Sequence, residues 1–181
     1  MMRLKPGLAG RAASGAGGGR MTGFSGMRNE KSQESAHDAG GMLYRALAAG
    51  DLPAAWLAAR PLLERAKGEK LPAATAFNCG LCLYRLEEYE KALAQLKAAE
   101  QLLGSPPDLD SGERRLFVQA VESVKKERQA CLLPLDPEGD GLKRYFLIRV
   151  RWLAGLCLLC LGRRQEAAPL IRFLAQYHIE L

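Results

Sequence analysis

The stretch Ala76–Leu103, AFNCGLCLYRLEEYEKALAQLKAAEQLL, limits what this chain can fold into more than any other part of it. Leu and Ala dominate it, and both are strong helix formers with little rotamer entropy to lose. Tyr89, Leu93 and Leu96 recur at the spacing of a single helix face. Glu87 and Glu88 stand just before that face begins, where negative charge suits a helix N-terminus, and Gly104 followed by Pro106 ends it. The stretch therefore predicts two helices joined by a tight turn. Strand-type alternation of Val, Ile, Thr and Tyr is almost missing from the rest of the chain, which points to an all-α class.

The same stretch resembles the tetratricopeptide repeat (TPR), a helix–turn–helix unit of about 34 residues. Gly80 stands at the small position of the repeat's first helix and Leu83 at its large apolar position. Tyr89 supplies the aromatic that opens the second helix, followed by Ala92, Leu96 and Ala99. The resemblance implies that Gly80 and Ala92 lie where the two helices cross. A second copy is read near the C-terminus by placing Gly155 on Gly80, which puts Ala167 on Ala92 and Ile171 on Leu96. There Arg164 replaces the aromatic, Leu174 stands where Ala99 does, and Pro169 falls inside the second helix, predicting a late start or a kink. A weaker first copy starts near Gly40, with Gly50 and Asp51 at the turn, Ala55 at the small position, and Leu43 where Gly80 stands. Such repeats bury their faces only by stacking, so about three are needed.

These readings predict an all-α, TPR-like solenoid of about three repeats over residues 38–181, preceded by a disordered tail over 1–37. The tail has eight glycines in residues 1–28 and no apolar period, so it cannot offset its ordering entropy. Three readings of it stay open: a solvated tail, an upstream extension with Met21 or Met27 as the true start, and an Arg-bearing transit peptide. Between the second and third repeats lies an insertion, Ser105–Leu142. Asp110 or Ser111 with Glu113 reads as a helix start, and Leu116, Phe117, Ala120, Val121 and Val124 give a helical period over about 111–131. A turn-rich segment, Pro134–Gly141, follows.

The net charge of +6 suggests a nucleic-acid binder, but its placement argues against one. Residues 1–28 carry Arg3, Lys5, Arg11, Arg20 and Arg28 and no acid; without these five the rest of the chain, 29–181, keeps 21 basic and 20 acidic residues. A nearly neutral body has no strong electrostatic reason to bind DNA or RNA. Trp152–Leu161, the most apolar run, has about half the roughly 20 residues of a membrane span. Lys143, Arg144, Arg149 and Arg151 cluster just before it and read as solvated flanks or as a dock for an acidic partner.

Two Cys-x-x-Cys pairs, Cys79/Cys82 and Cys157/Cys160, match a four-thiolate zinc pattern as a string. Both fall inside predicted first helices, where residues three apart share a face, so the core is the better place for them. Cys131 has no evident partner, and the odd count favours a reducing compartment such as the cytoplasm. His37 and His178 sit in no nucleophile or metal pattern, and no phosphate loop follows a strand, so no enzyme activity, cofactor or metal is expected.

What remains is binding. The resemblance implies that first-helix residues line a concave face across which a partner peptide or helix lies. Carried over by alignment, that face comprises Tyr44, Phe77, Asn78, Leu81, Tyr84, Arg85, Arg149, Trp152 and Leu156. Trp152 has a second reading, burial beneath the inserted helix. Clamp-type TPR domains grip a C-terminal carboxylate with five polar residues; Asn78 and Arg149 match two, but the others fall on Gly40, Tyr44 and Leu153, so no clamp is expected. The expected function is a protein-interaction scaffold. A dedicated chaperone resembling those of type III secretion is the runner-up, and a cysteine metal or redox protein the third reading. A homodimer through Phe173 and Ile179 is a further expectation.

Overall fold

The computed structural model describes residues 38–105, 110–126, 128–139 and 143–181. They form helices α1 (38–48), α2 (Leu52–Arg65), α3 (Ala73–Arg85), α4 (Tyr89–Leu103), α5 (Ser111–Lys126), α6 (Lys143–Cys160) and α7 (Arg164–Ala175), with a short 3₁₀ helix, Arg128–Leu132, between α5 and α6. No β-strand occurs among the described residues. The expected disordered tail, 1–37, lies outside them, as do Pro106 and the end of the predicted turn segment.

Three helical hairpins, α1–α2, α3–α4 and α6–α7, carry the architecture. Their neighbours pack in series: α2 on α3, α3 on α4, α4 on α6, and α6 on α7. The three turns are built alike. Gly50, Glu87 and Gly162 follow the first helices with φ of 74°, 60° and 72°. In each, the next residue sends its amide back five positions: Asp51 to Ala46 (2.9 Å), Glu88 to Leu83 (2.9 Å) and Arg163 to Leu158 (2.8 Å). Five residues after each left-handed position comes an alanine, and Ala55, Ala92 and Ala167 are all fully buried. The same closure and the same small residue at the same offset make the array repeat-like, including the weakly marked first hairpin.

Close approach explains the small residues, with one departure. A Cβ on Gly80 would lie 3.0 Å from Cγ of Leu96 and 3.4 Å from the Ala92 carbonyl oxygen, so α3 and α4 do cross there. Gly155 differs from its expected counterpart: a Cβ there would lie 2.6 Å from Cδ1 of Leu181. The last residues fold back onto α6, the Trp152 indole Nε1 donates to the Glu180 carbonyl at 3.0 Å, and Ile179 is buried. Ile179 is thus engaged within its own chain, and Phe173 is half-buried, with the guanidinium carbon of Arg151 4.0 Å from its ring centroid. The two do not form the open dimer surface that was expected.

Pro169 neither delays α7, which starts at Arg164, nor lies on a buried face. Both Pro169 and the residue four before it, Gln165, are exposed, so the carbonyl that loses its partner can meet water. Pro61 inside α2 has the same surroundings, with Leu57 exposed four residues earlier.

The insertion starts with a reciprocal cap: Glu113 N–H donates to Asp110 Oδ1 at 2.7 Å and Asp110 N–H to Glu113 Oε2 at 3.1 Å. Helix α5 buries Phe117 and Val121 and leaves Leu116 exposed. It packs on α6, with the Phe117 ring edge-on to Tyr177 at 5.8 Å. It stands beside the hairpin series and is not a further member of it.

Glu87 occupies a left-handed position that glycine fills in the other two turns, at a cost of about 1–2 kcal/mol for an L-residue, partly offset by the greater unfolded-state entropy of glycine. Glu87→Gly is therefore expected to raise stability by about 0.5–1 kcal/mol in urea denaturation. A lowered midpoint would count against the shared turn.

Candidate functional site

Helix α3 is enclosed. Ten consecutive residues, Ala74–Leu83, are buried, and among them Asn78 is fully inaccessible. Its amide is not idle. Asn78 Nδ2 donates to the Leu135 carbonyl at 2.7 Å, and the Leu135 N–H donates to Asn78 Oδ1 at 2.7 Å. One side chain thus reads both main-chain groups of a residue 57 positions away, as a neighbouring strand would.

Two arginines extend this hold. Arg85 Nη2 donates to the Leu132 carbonyl at 2.9 Å, while its Nη1 donates to the Leu47 carbonyl at 3.1 Å, joining the end of α1 to the insertion. Arg149, on α6, donates through Nη2 to the Leu133 carbonyl and at 3.5 Å to that of Cys131. Its guanidinium carbon lies 5.2 Å from the Phe77 ring centroid and 5.9 Å from that of Tyr145. Arg149 is only 5% exposed, its Nε has no hydrogen-bond partner, and among the described residues no carboxylate pairs with it. Burial pulls its pKa down, opposed by Tyr145 and Cys131.

The expected concave face is therefore filled from within. Of the nine residues placed on it by sequence, Phe77, Asn78, Leu81, Arg149 and Trp152 are buried, and Tyr44, Tyr84, Arg85 and Leu156 are half-buried. The segment at Cys131–Leu135 covers Asn78 and Arg149 through its main chain. Trp152 is turned to the returning C-terminal residues, not to the groove. Within the segment Cys131 and Leu135 are buried, whereas Leu133 is 56% exposed. Sequence reasoning missed these residues because their contribution comes from backbone atoms; the one signal was an Asn in the middle of an otherwise apolar helix.

The basic cluster before Trp152 does not form one patch. Arg149 is inside, Lys143 is exposed, and Arg151 pairs with Glu100 of α4 at 2.8 Å while stacking on Phe173. A second concavity, about 370 Å³, lies between α2 and α4, lined by Trp56, Leu63, Leu83 and Ala94 with Arg60 and Lys91.

Four thiols, Cys79, Cys82, Cys131 and Cys157, are buried, and Cys160 is exposed. Burial pushes the Cys79 and Cys157 thiols up to about 12 and those of Cys82 and Cys131 to about 11. Thiols held protonated in this way are weak nucleophiles and weak metal ligands. No group of three or more metal-ligating side chains is gathered among the described residues. No described helix is long and apolar enough to cross a membrane.

No family model, curated protein or solved structure matches this chain. The TPR resemblance accordingly rests on its own residues.

Two measurements test this geometry. Asn78→Ala leaves a buried amide and a buried carbonyl of Leu135 without partners, each worth about 1–3 kcal/mol. The expected result is a loss of about 3 kcal/mol with faster amide exchange at Leu135; unchanged exchange there would refute the pairing. The buried thiols bind protons more tightly folded than unfolded, so stability falls as pH rises from about 9, the ordinary thiol value, through about 11–12. Each thiol contributes up to about 1.4 kcal/mol per pH unit in that window. Alkaline urea titrations should show a slope reduced in Cys79→Ala.

Proposed function

We propose that this chain is an interaction scaffold that holds a peptide or helix of another polypeptide against α3 and α6, and that it performs no chemistry of its own. The supporting observation is the paired hydrogen bonding of Asn78 with the main chain of Leu135. A helix face equipped to read a peptide's amide and carbonyl, with Arg85 and Arg149 reading further carbonyls at the end of the 3₁₀ helix and just beyond it, is suited to irregular backbone of varied sequence. The three like-built turns and the alanines five residues after them favour the TPR-like reading, in which ligands lie across the first helices. Tyr44, Tyr84, Arg85 and Leu156, half-buried, are the parts of that face a partner can still touch. Aromatic anchors with a few polar groups suit peptide capture. Five unpaired cysteines favour a reducing compartment such as the cytoplasm.

A library of random extended peptides displayed and selected against the whole protein tests the proposal. Enriched peptides should lose about ten-fold in affinity with Tyr84→Ala or Tyr44→Ala, the scale of one truncated aromatic anchor. They should be indifferent to Trp56→Ala in the cleft between α2 and α4. Enrichment of nothing, or of peptides sensitive only to Trp56, would count against it.

A further inference from the structure

Residues 130–136 are held as a ligand is held. Asn78, Arg85 and Arg149 grip the backbone, Leu135 supplies a buried anchor, and Leu133 points to solvent. Consecutive members of the hairpin series pack directly on one another, and this segment lies across α3 and α6. The grip is incomplete at one point. Arg149 is buried, yet among the described residues its charge is met only by the carbonyls of Leu133 and Cys131 and by two aromatic faces, and its Nε finds no acceptor there. The segment's own Asp136 turns the other way and accepts from the Glu138 N–H at 3.0 Å. A buried charge without a counter-charge is costly, and a carboxylate placed beside it recovers much of that cost.

We infer that residues 130–136 are a self-ligand occupying the groove in place of the partner, and that the partner is a peptide bearing a carboxylate that displaces them and pairs with Arg149. This rests on the scaffold reading above. A tethered occupant acts at an effective concentration on the order of millimolar, and it lowers the apparent affinity of any competitor by the fraction of molecules whose groove is open. A neutral competitor of equal fit therefore binds poorly, whereas one that answers Arg149 gains an interaction the tethered segment lacks. Displacement also uncovers Leu135 and the Cys131 thiol, both buried in the closed form.

The test uses the full chain and labelled peptides with the sequence of residues 130–138. One peptide is unaltered, and four carry Asp in place of Cys131, Leu132, Leu133 or Pro134. The unaltered peptide should bind the Leu135→Gly protein, whose own segment has lost its buried anchor, at least about ten-fold more tightly than wild type. At least one Asp peptide should bind about ten-fold more tightly again, and that gain should vanish with Arg149→Met. A readout independent of variant folding is hydrogen exchange of wild type saturated with the best Asp peptide: the Leu135 amide, held by Asn78, should lose its protection. Retained protection of that amide with peptide bound overturns the inference, as does the failure of every Asp peptide to exceed the parent. If selected library peptides bind wild type and leave Leu135 protected, the scaffold reading stands and the self-ligand falls. If no peptide binds either protein, both fall.

Discussion

A helix enclosed on every side leaves no room for an unsatisfied polar group, and α3 is enclosed over Ala74–Leu83. Asn78 lies in the middle of that run, and an unpaired buried amide costs about 1–3 kcal/mol. Its needs are met by the main chain of Leu135, far along the sequence. This exchange binds the non-repeating part of the molecule to the repeating part. The hairpins account for α1–α4, α6 and α7, and the insertion would be an appendage on α6 without the hold of Asn78 and Arg85.

Much of the helical array was legible because its determinants are local. Gly50 and Gly162 advertise left-handed turns, Ala55, Ala92 and Ala167 recur at one offset, and Asp110 with Glu113 spells a cap. Glu87 hid its turn conformation, since glutamate does not mark a left-handed position. Gly155 was legible as a place of close approach but not for what approaches it. Spacing on α6 carries no information about where Leu181 returns. Pro169 looked disruptive because its cost depends on whether the lost carbonyl partner faces water, and that is decided by burial.

The candidate site was half legible. The side chains that do the gripping, Asn78, Arg85 and Arg149, stood out from a helix face by alignment. What they grip did not, because carbonyls and amides are common to every residue and leave no trace in a residue pattern. Arg149 and Arg151 illustrate the same limit. They are two residues apart on one helix, yet one lies under the insertion among aromatic rings and the other spans to Glu100. Their neighbours come from distant parts of the chain, so local charge pattern could not separate them.

Recognition through main-chain groups also bears on how such a loop can drift over generations. Leu133 projects into water and Leu132 and Pro134 are half-exposed, so selection on their side chains is weak so long as the backbone path is kept. The heavier constraint falls on the opposing Asn78, where even the one-atom exchange to aspartate removes the donor that meets the Leu135 carbonyl. In a lineage descended from this chain, the invariant partner would be the reader and the variable one the text it reads.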